Sequence, residues 1–378
     1  MFRTRLLFFE LLKVALGNRK SLSRVPSDEE WMDFYDESER QAVTGILFHG
    51  IERLPAEQRP SQLFLLQWIG VAQLIEQQNH VMDDRCLEVL QILSDNGLNG
   101  SVLKGQGIAK LYDVGWKKED GRGDLSALRQ SGDIDVYVDC GFRKALSTVQ
   151  KLKGLTVKSW DYKHLHLNIW KDTTIEVHYR VEVLLNLWKN RKLQKWFKEH
   201  ETLIYSKNNG FTTPTTIFNV FYILLHIYRH FLYEGVGFKQ IVDYYFVVKN
   251  LDDNHNDNSV VVALDAVQEF GMEKFAKGLM WVMQEALGMP REWMLWEPDK
   301  KEGEYILSQV MQGGNFGHYD ERLKHGGGKW NTVIQVCKHN WHLLRHYPTD
   351  VIWAPVWFVW HKCWKIFHKR SIAIEWLI

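Results

Sequence analysis

The sequence is poor in cysteine. Its four residues, Cys86, Cys140, Cys337 and Cys363, are scattered over 378 positions with no CxxC pair and no zinc-ribbon spacing. That pattern fits reduced thiols in a cytoplasmic protein and excludes a disulfide framework. An excess of charge of one sign is also missing. The 47 basic side chains against 46 acidic ones leave a formal charge of +1, so no global field recruits DNA or RNA and there is no strong nucleic-acid signal. No uninterrupted apolar run reaches the roughly 18 residues a membrane span needs, so the chain reads as soluble or peripheral. Internal repeats and low-complexity tracts are absent too. The amino-terminal Met1–Asn18 starts like a secretion signal, but Glu10 and Lys13 interrupt its apolar stretch. Leu7, Leu11, Val14 and Ala15 fall on one face of a helix, which predicts an amphipathic first helix packed on the body.

What remains is a chain with 45% apolar and 25% charged residues, enough to bury a large core and too apolar for disorder. Its length suggests roughly two domains. Residues 1–96 have helical periodicity. Ser27-Asp28-Glu29-Glu30 has the polar, acidic character of a helix start. Pro60-Ser61 opens a long helix through Phe64, Trp68, Val71, Ile75, Met82 and Val89, and Asn96-Gly97 can close it. The period then changes. Ser101-Val102-Leu103 is a short strand running into Lys104-Gly105-Gln106-Gly107, and Lys117–Gly123 reads as a surface loop. Asp133–Val138 is a strand, followed by a helix from Phe142 to about Gly154. His164–Trp170 and Thr174–Arg180 alternate around Lys171-Asp172-Thr173 as a β-hairpin. Beyond about residue 183 the pattern is helical, with Thr213-Pro214 as a helix start and Gly235 as a stop. The expected fold is α+β: an α/β core over 97–205 between a helical segment 1–96 and a helical domain 206–378.

The sharpest chemical signal is Gly132-Asp133-Ile134-Asp135-Val136-Tyr137-Val138. Alternation in a strand sets Asp133, Asp135 and Tyr137 on one face and Ile134, Val136 and Val138 toward a core. Carboxylates about 6–7 Å apart on one face repel unless a cation lies between them. Hard oxygen ligands of this kind suit Mg²⁺ or Mn²⁺. The plain alternative is an acidic strand face with no ligand, common for a bare Asp-x-Asp. In Ile175-Glu176-Val177-His178, Glu176 and His178 share a polar face, and Glu176 can supply a third carboxylate from a neighbouring strand. Three such acids can hold two metals about 4 Å apart, one activating a hydroxyl and the other gripping a triphosphate. The Lys104-Gly105 turn can add backbone N–H groups and a positive charge for a phosphate, although GxxxxGK[ST] is absent. Arg129, just before the strand, can pair with phosphate oxygens; otherwise it is a solvated loop arginine.

The order Val102-Leu103-Lys104-Gly105, Tyr112, Arg129, Gly132-Asp133-Ile134-Asp135 and Ile175-Glu176-Val177-His178 resembles the bacterial uncharacterised nucleotidyltransferase family, within the polymerase-β-like nucleotidyltransferase superfamily. The specific part of the likeness runs from Val102 to His178, and helical segments on both sides resemble the family layout. The resemblance implies a small mixed-sheet nucleotidyltransferase core. It also implies Mg²⁺- or Mn²⁺-dependent transfer of a nucleoside monophosphate from an NTP, ATP first among them, to a hydroxyl-bearing acceptor. Asp133, Asp135 and Glu176 would hold the metals, and Lys104, Gly105 and Arg129 would face the nucleotide. Family members are often found beside surface-polysaccharide genes, which leaves the acceptor open. Lys-Gly-Gln-Gly departs from the Gly-Ser or Gly-Gly of classical members, and the stretch between this turn and the acidic pair is longer than in compact ones.

Several residues carry a second reading. His178 can orient Glu176 or act as a base; the alternative is a structural imidazole. His164 and His166 share a strand face that can form an acceptor-facing wall, or a half-exposed polar sheet face. Asp243 lies in a segment resembling a helical-domain motif of the family and can act as an acceptor contact or base, or be a helix-surface acid. His226/His230 and His342/His346 have i, i+4 spacing but no evident third ligand, and HExxH is absent. Ten of the 17 tryptophans lie from Trp281 onward. Trp353, Trp357, Trp360 and Trp364 form a stripe beside His361, Lys362, Lys365, His368, Lys369 and Arg370. A basic helix with an aromatic face over 353–370 can make peripheral contact with the inner face of a membrane; a stripe packed on the helical body is the plainer expectation. Two other functions stay open: a glycosyltransferase using Asp-x-Asp, with an NDP product and no special role for Glu176, and a non-catalytic nucleotide-binding or scaffold protein on the same fold. The oligomeric state has no signature in the sequence.

Overall fold

The computed structural model describes residues 2–113, 124–152, 156–208, 210–251, 257–320 and 343–375. The expected loop Lys117–Gly123 and His342 of the second histidine pair lie outside them. The described residues form two compact units. One comprises residues 1–85, 106–131 and 215–324, and the other residues 86–105, 132–214 and 325–378.

The first unit is helical. Helix α1 (Phe2–Ala15) is amphipathic, with Leu7, Leu11, Val14 and Ala15 all buried. Helix α2 (Asp28–Gln41) starts at Ser27, whose side chain caps Glu30 N–H while the Glu30 side chain returns to the Ser27 N–H. This reciprocal box satisfies two amides that a helix start otherwise leaves unpaired. Helix α3 (Thr44–Arg53) approaches the turn Leu125–Leu128 so closely that a Cβ on Gly45 would lie 2.1 Å from the Leu128 carbonyl oxygen. Helix α4 (Gln62–Asp95) contributes its first 24 residues here, as far as Arg85. The short α5 (Gln106–Ala109) follows the Lys104-Gly105 turn. Helices α8 (Thr216–Tyr233) and α9 (Phe238–Lys249) are buried nearly all round, as central helices of a large core must be. Helix α8 begins at the Thr215 cap, directly after the expected Thr213-Pro214, and stops before Gly235 at φ +97°. Helices α10 (Asp257–Glu269), α11 (Glu273–Val282) and α12 (Lys300–Gly313) complete the unit.

The second unit is built on a five-stranded mixed sheet in the order β1-β2-β5-β4-β3. Its strands are β1 (Gly100–Val102), β2 (Ile134–Val138), β3 (Thr156–Trp160), β4 (His164–Asn168) and β5 (Thr174–His178). Strands β4 and β5 are the expected hairpin, antiparallel with Leu165 opposite Val177. Strand β2 lies parallel to β5 with Asp135 opposite Glu176, and antiparallel to β1 with Val102 opposite Val136. A parallel pair needs a crossover. It begins with α6 (Phe142–Lys151), which buries Phe142, Ala145, Leu146 and Val149 at helical spacing. Helix α7 (Leu187–Glu199) and the two-stranded β6 (Ser206–Asn208) and β7 (Phe211–Thr213) also belong to this unit.

Helix α13 (Pro348–Glu375) carries the tryptophan stripe. Trp364 packs on Phe142, Trp160 and Tyr162, and Trp357 and Trp360 pack edge-on against Tyr162. Trp357, Trp360 and Trp364 of the stripe are therefore packed on the sheet unit. Each such ring pair adds about 0.5–1.5 kcal/mol beyond its area burial. Ile352, Phe358, Val359, Ile366 and Phe367 on the same helix are exposed. Among the described residues no helix is long and apolar enough to cross a membrane.

Candidate active site

The parallel pairing of β2 and β5 builds the acidic site. Ile134, Val136, Ile175 and Val177 are buried on one face of the two strands, which turns Asp135 and Glu176 to the other face in direct register. Asp133, one residue ahead of β2, completes the set. One carboxylate oxygen from each of Asp133, Asp135 and Glu176 lies within 4.8 Å of the others. Their exposure is graded: Asp133 is exposed, Glu176 half-buried and Asp135 buried.

A cation and an imidazole meet Asp135. Lys104 Nζ lies 2.9 Å from Asp135 Oδ1, and His178 Nε2 lies 2.9 Å from that same oxygen and 3.3 Å from Glu176 Oε2. Burial alone would raise the Asp135 pKa. The Lys104 charge and the His178 hydrogen bond outweigh burial and hold it at about 2. Glu176 is likewise buried against its ionised form, and the His178 hydrogen bond and charge hold it well below the usual range. Asp133 moves the other way: the neighbouring Asp135 charge, then the protein atoms crowding out water on the side away from solvent, raise its pKa against the pull of Lys104. For His178, burial favours the neutral ring, but hydrogen bonds to Asp135 and Glu176 reverse that and raise its pKa. The site is an acidic pair bridged by a fully buried imidazole and countered by Lys104, with a third carboxylate at the solvent side.

The turn after β1 brings Lys104 to this place. Gly105 has φ +56°, a left-handed conformation that costs any L side chain, and an added Cβ would meet only the Asp133 carbonyl oxygen, at an ordinary 3.6 Å. Glycine is required here by the backbone angle, not by lack of space.

Arg129 and Asp243, separate candidates in the sequence, are brought together with each other. Arg129 Nε donates to Asp243 Oδ1 at 2.6 Å and Nη2 to Oδ2 at 2.7 Å, a bidentate pair within the helical unit. Tyr112 O–H donates to Asp243 Oδ1 at 2.7 Å, and its ring stacks on Phe246 at 4.0 Å. All three residues are buried. Burial works against the Arg129 cation, but the Asp243 charge and hydrogen bond more than compensate and raise its pKa. Burial also drives the Tyr112 pKa well up, so it serves as a neutral donor.

Other neighbours of the acidic site were not singled out in the sequence. Asp161 closes the β3–β4 turn, with Oδ1 accepting the backbone N–H of Lys163 at 2.7 Å and of His164 at 3.0 Å. Lys163 and Glu182 form a buried ion pair at 3.3 Å. An Asx turn signal, Asp161 followed three residues later by the first strand residue, was available for Asp161. Nothing local marks Glu182. His226 and His230 sit with ring centroids 4.2 Å apart on α8, and His230 pairs with Glu234. Among the described residues, the groups of three or more side chains with metal-ligand spacing all lie on the β-sheet unit instead.

A small mixed sheet is what the sequence resemblance implies, and comparison with known proteins agrees on the family. The uncharacterised nucleotidyltransferase family matches residues 27–288. The chain belongs to that family. The match spans α2 to the end of the α11 region and so includes both the acidic strands and the Arg129–Asp243 pair. No curated protein and no solved structure matches the chain. Membership assigns transferase character of the nucleotidyl type, with an NTP as the substrate class.

Proposed function

We propose that this protein transfers a nucleoside monophosphate from an NTP to a hydroxyl-bearing acceptor, with Asp133, Asp135 and Glu176 holding divalent metal. The observation that carries the reading is the direct register of Asp135 and Glu176 on parallel strands with Asp133 beside them, their oxygens within 4.8 Å. The donor set fits the group: three carboxylates and no sulfur, the hard ligands that Mg²⁺ or Mn²⁺ take. When bound, such ions neutralise phosphate charge and lower the pKa of an attacking hydroxyl.

The chain's own groups have the following parts in this reading. Asp135 and Glu176 stay ionised at all physiological pH values, so they are always competent ligands. His178 has no exposed surface and its Nε2 is committed to both carboxylates; it is a positioning residue that fixes their rotamers, and not the base for an acceptor. Asp133, the solvent-side carboxylate with the raised pKa, is the ligand nearest an incoming acceptor hydroxyl. Lys104 balances Asp135 and adds positive charge for the phosphates, and Gly105 sets its turn. Arg129 and Asp243 act as an internal strut of the helical unit. ATP is the first nucleotide to test, and a surface-polysaccharide precursor is the acceptor class that the family resemblance suggests.

One observation favours the scaffold reading: Asp135 already has both Lys104 and His178 as partners. Calorimetric titration of ATP, GTP, CTP and UTP with Mg²⁺ or Mn²⁺ separates the two. Metal-dependent binding lost in Asp133→Asn/Asp135→Asn, followed by pyrophosphate release with an acceptor, supports the enzyme. Binding with no turnover against any acceptor supports the scaffold. Unchanged NTP turnover in Asp133→Asn would show the metal assignment to be wrong.

A further inference from the structure

A second constellation lies on the neighbouring strand pair. His164 and His166 on β4 project toward Asp161 at the β3–β4 turn. His164 Nε2 is 2.9 Å from His166 Nε2 and 3.4 Å from Asp161 Oδ2, and the three ligand atoms lie within 4.8 Å of one another. We propose that Asp161, His164 and His166 bind a borderline divalent cation of the Zn²⁺ class, at a site distinct from the three-carboxylate set.

Spacing is the first argument. Around a tetrahedral ion with metal–ligand bonds of about 2.0–2.1 Å, adjacent ligand atoms lie about 3.3 Å apart. The two measured separations bracket that value. Two neutral imidazole nitrogens facing each other at 2.9 Å must otherwise share one proton, with one ring donating and the other accepting. An ion between them uses both lone pairs.

Orientation is the second. Asp161 Oδ1 is taken by the two backbone N–H groups of Lys163 and His164, which leaves Oδ2 directed to the cluster. Behind the rings, His164 Nδ1 lies 3.4 Å from Glu176 Oε2 and His166 Nδ1 lies 3.4 Å from Glu176 Oε1. At 3.4 Å these are charge contacts longer than a hydrogen bond, and they set a carboxylate beside the far nitrogen of each imidazole, where it favours a bound cation. Glu176 thus serves both strands from one position: its oxygens back the histidines on β4 while it stands in register with Asp135 on β2.

Chemistry is the third. Two imidazoles and one carboxylate suit Zn²⁺, Co²⁺ or Ni²⁺, whereas an all-oxygen set favours Mg²⁺. His164 is buried, and His166 and Asp161 are half-buried, so solvent reaches the cluster from one side. Three protein ligands leave a fourth position for water or for an oxygen of a bound molecule.

The test uses the full-length protein, freed of metal with a chelator and kept in excess Mg²⁺ so that the carboxylate set is saturated. Zn²⁺ is titrated against a chromophoric chelator, and Co²⁺ binding is followed by its visible bands. The expected result is one equivalent of Zn²⁺ and a tetrahedral Co²⁺ spectrum. His166→Ala and the isosteric Asp161→Asn should each weaken Zn²⁺ by about 100-fold or more, beyond the loss typical of a supporting contact, while Asp133→Asn leaves it unchanged. Asp161→Asn keeps the turn acceptor and so remains informative if His166→Ala fails to fold. Three results would each overturn the proposal: no Zn²⁺ bound by the wild type, affinity unchanged in both ligand variants, or loss in Asp133→Asn, which would give the ion to the carboxylate set.

Discussion

Asp243→Asn should be among the most destabilising single substitutions in the protein while leaving nucleotide binding intact. The native carboxylate accepts three short hydrogen bonds, two from Arg129 and one from Tyr112. Both members of the ion pair are almost wholly buried, Arg129 at 4% and Asp243 at 6% exposure. An asparagine keeps the shape but replaces one oxygen with an NH₂ group, so one guanidinium N–H faces a donor and the Arg129 charge is left unpaired. Breaking a buried pair in this way costs about 3–5 kcal/mol. With a urea slope of about 3 kcal/mol per M, the unfolding midpoint should fall by about 1–2 M. Replacing the whole pair with apolar residues, Arg129→Met/Asp243→Leu, should recover much of that loss, because the penalty arises from the stranded charge. The assay is urea unfolding followed by circular dichroism, with NTP titration of each folded variant at low urea. A midpoint shift below about 0.3 M would refute the strut. So would an Asp243→Asn variant of normal stability that no longer binds NTP, since Arg129 would then be a nucleotide ligand after all.

Two further outcomes are expected. Gly105→Ala should cost about 1–2 kcal/mol, the strain of a left-handed L residue, because the added methyl meets only an ordinary contact; Gly105→Asn should cost less. Equal urea midpoints for all three would show that the Lys104 turn is not held at positive φ. For Cys140, burial raises the thiol pKa from 9.0 to about 11, so the thiolate is about 100-fold scarcer than usual at any pH below 9. Iodoacetamide labelling read by peptide mass spectrometry should therefore modify exposed Cys363 first. Cys140 labelling should rise about tenfold per pH unit up to about pH 10; a plateau near pH 8.5 would contradict the shift.

The features legible in the sequence are those with a local period. Strand β2 and the β4–β5 hairpin alternate over five residues each, and their turn residues bound them. The Ser27 box and the amphipathic α1 follow from spacing alone. Strand β3 is not legible in the sequence, because its register shifts between Val157 and Ser159 and the alternation is broken there. Strands β6 and β7 are three residues each, too short to show any period. Alternation places Asp133, Asp135 and Tyr137 on one side of β2, but only Asp133 at its start is open to water: Asp135 and Tyr137 are both buried. Periodicity reports the two faces of a strand and says nothing about what covers each of them.

The candidate site shows the same division between local and distant information. Asp133, Asp135 and Glu176 were readable because strand alternation fixes each on a polar face, and only the parallel register, a tertiary fact, was needed to bring two strands' acids together. Arg129 and Asp243 are 114 positions apart, and no spacing rule pairs an arginine before a strand with an acid inside a distant helix. Read singly, each looked like a reaching, solvent-facing group, because that is the usual fate of a charged residue. Burial of both reverses the inference: a charge with no water must have a partner, and the cheapest partner is the opposite charge nearby. The same reasoning explains His178. A histidine two residues from a glutamate suggests a proton carrier, but with no exposed surface and two carboxylates on one nitrogen its contact with them favours their ionised forms.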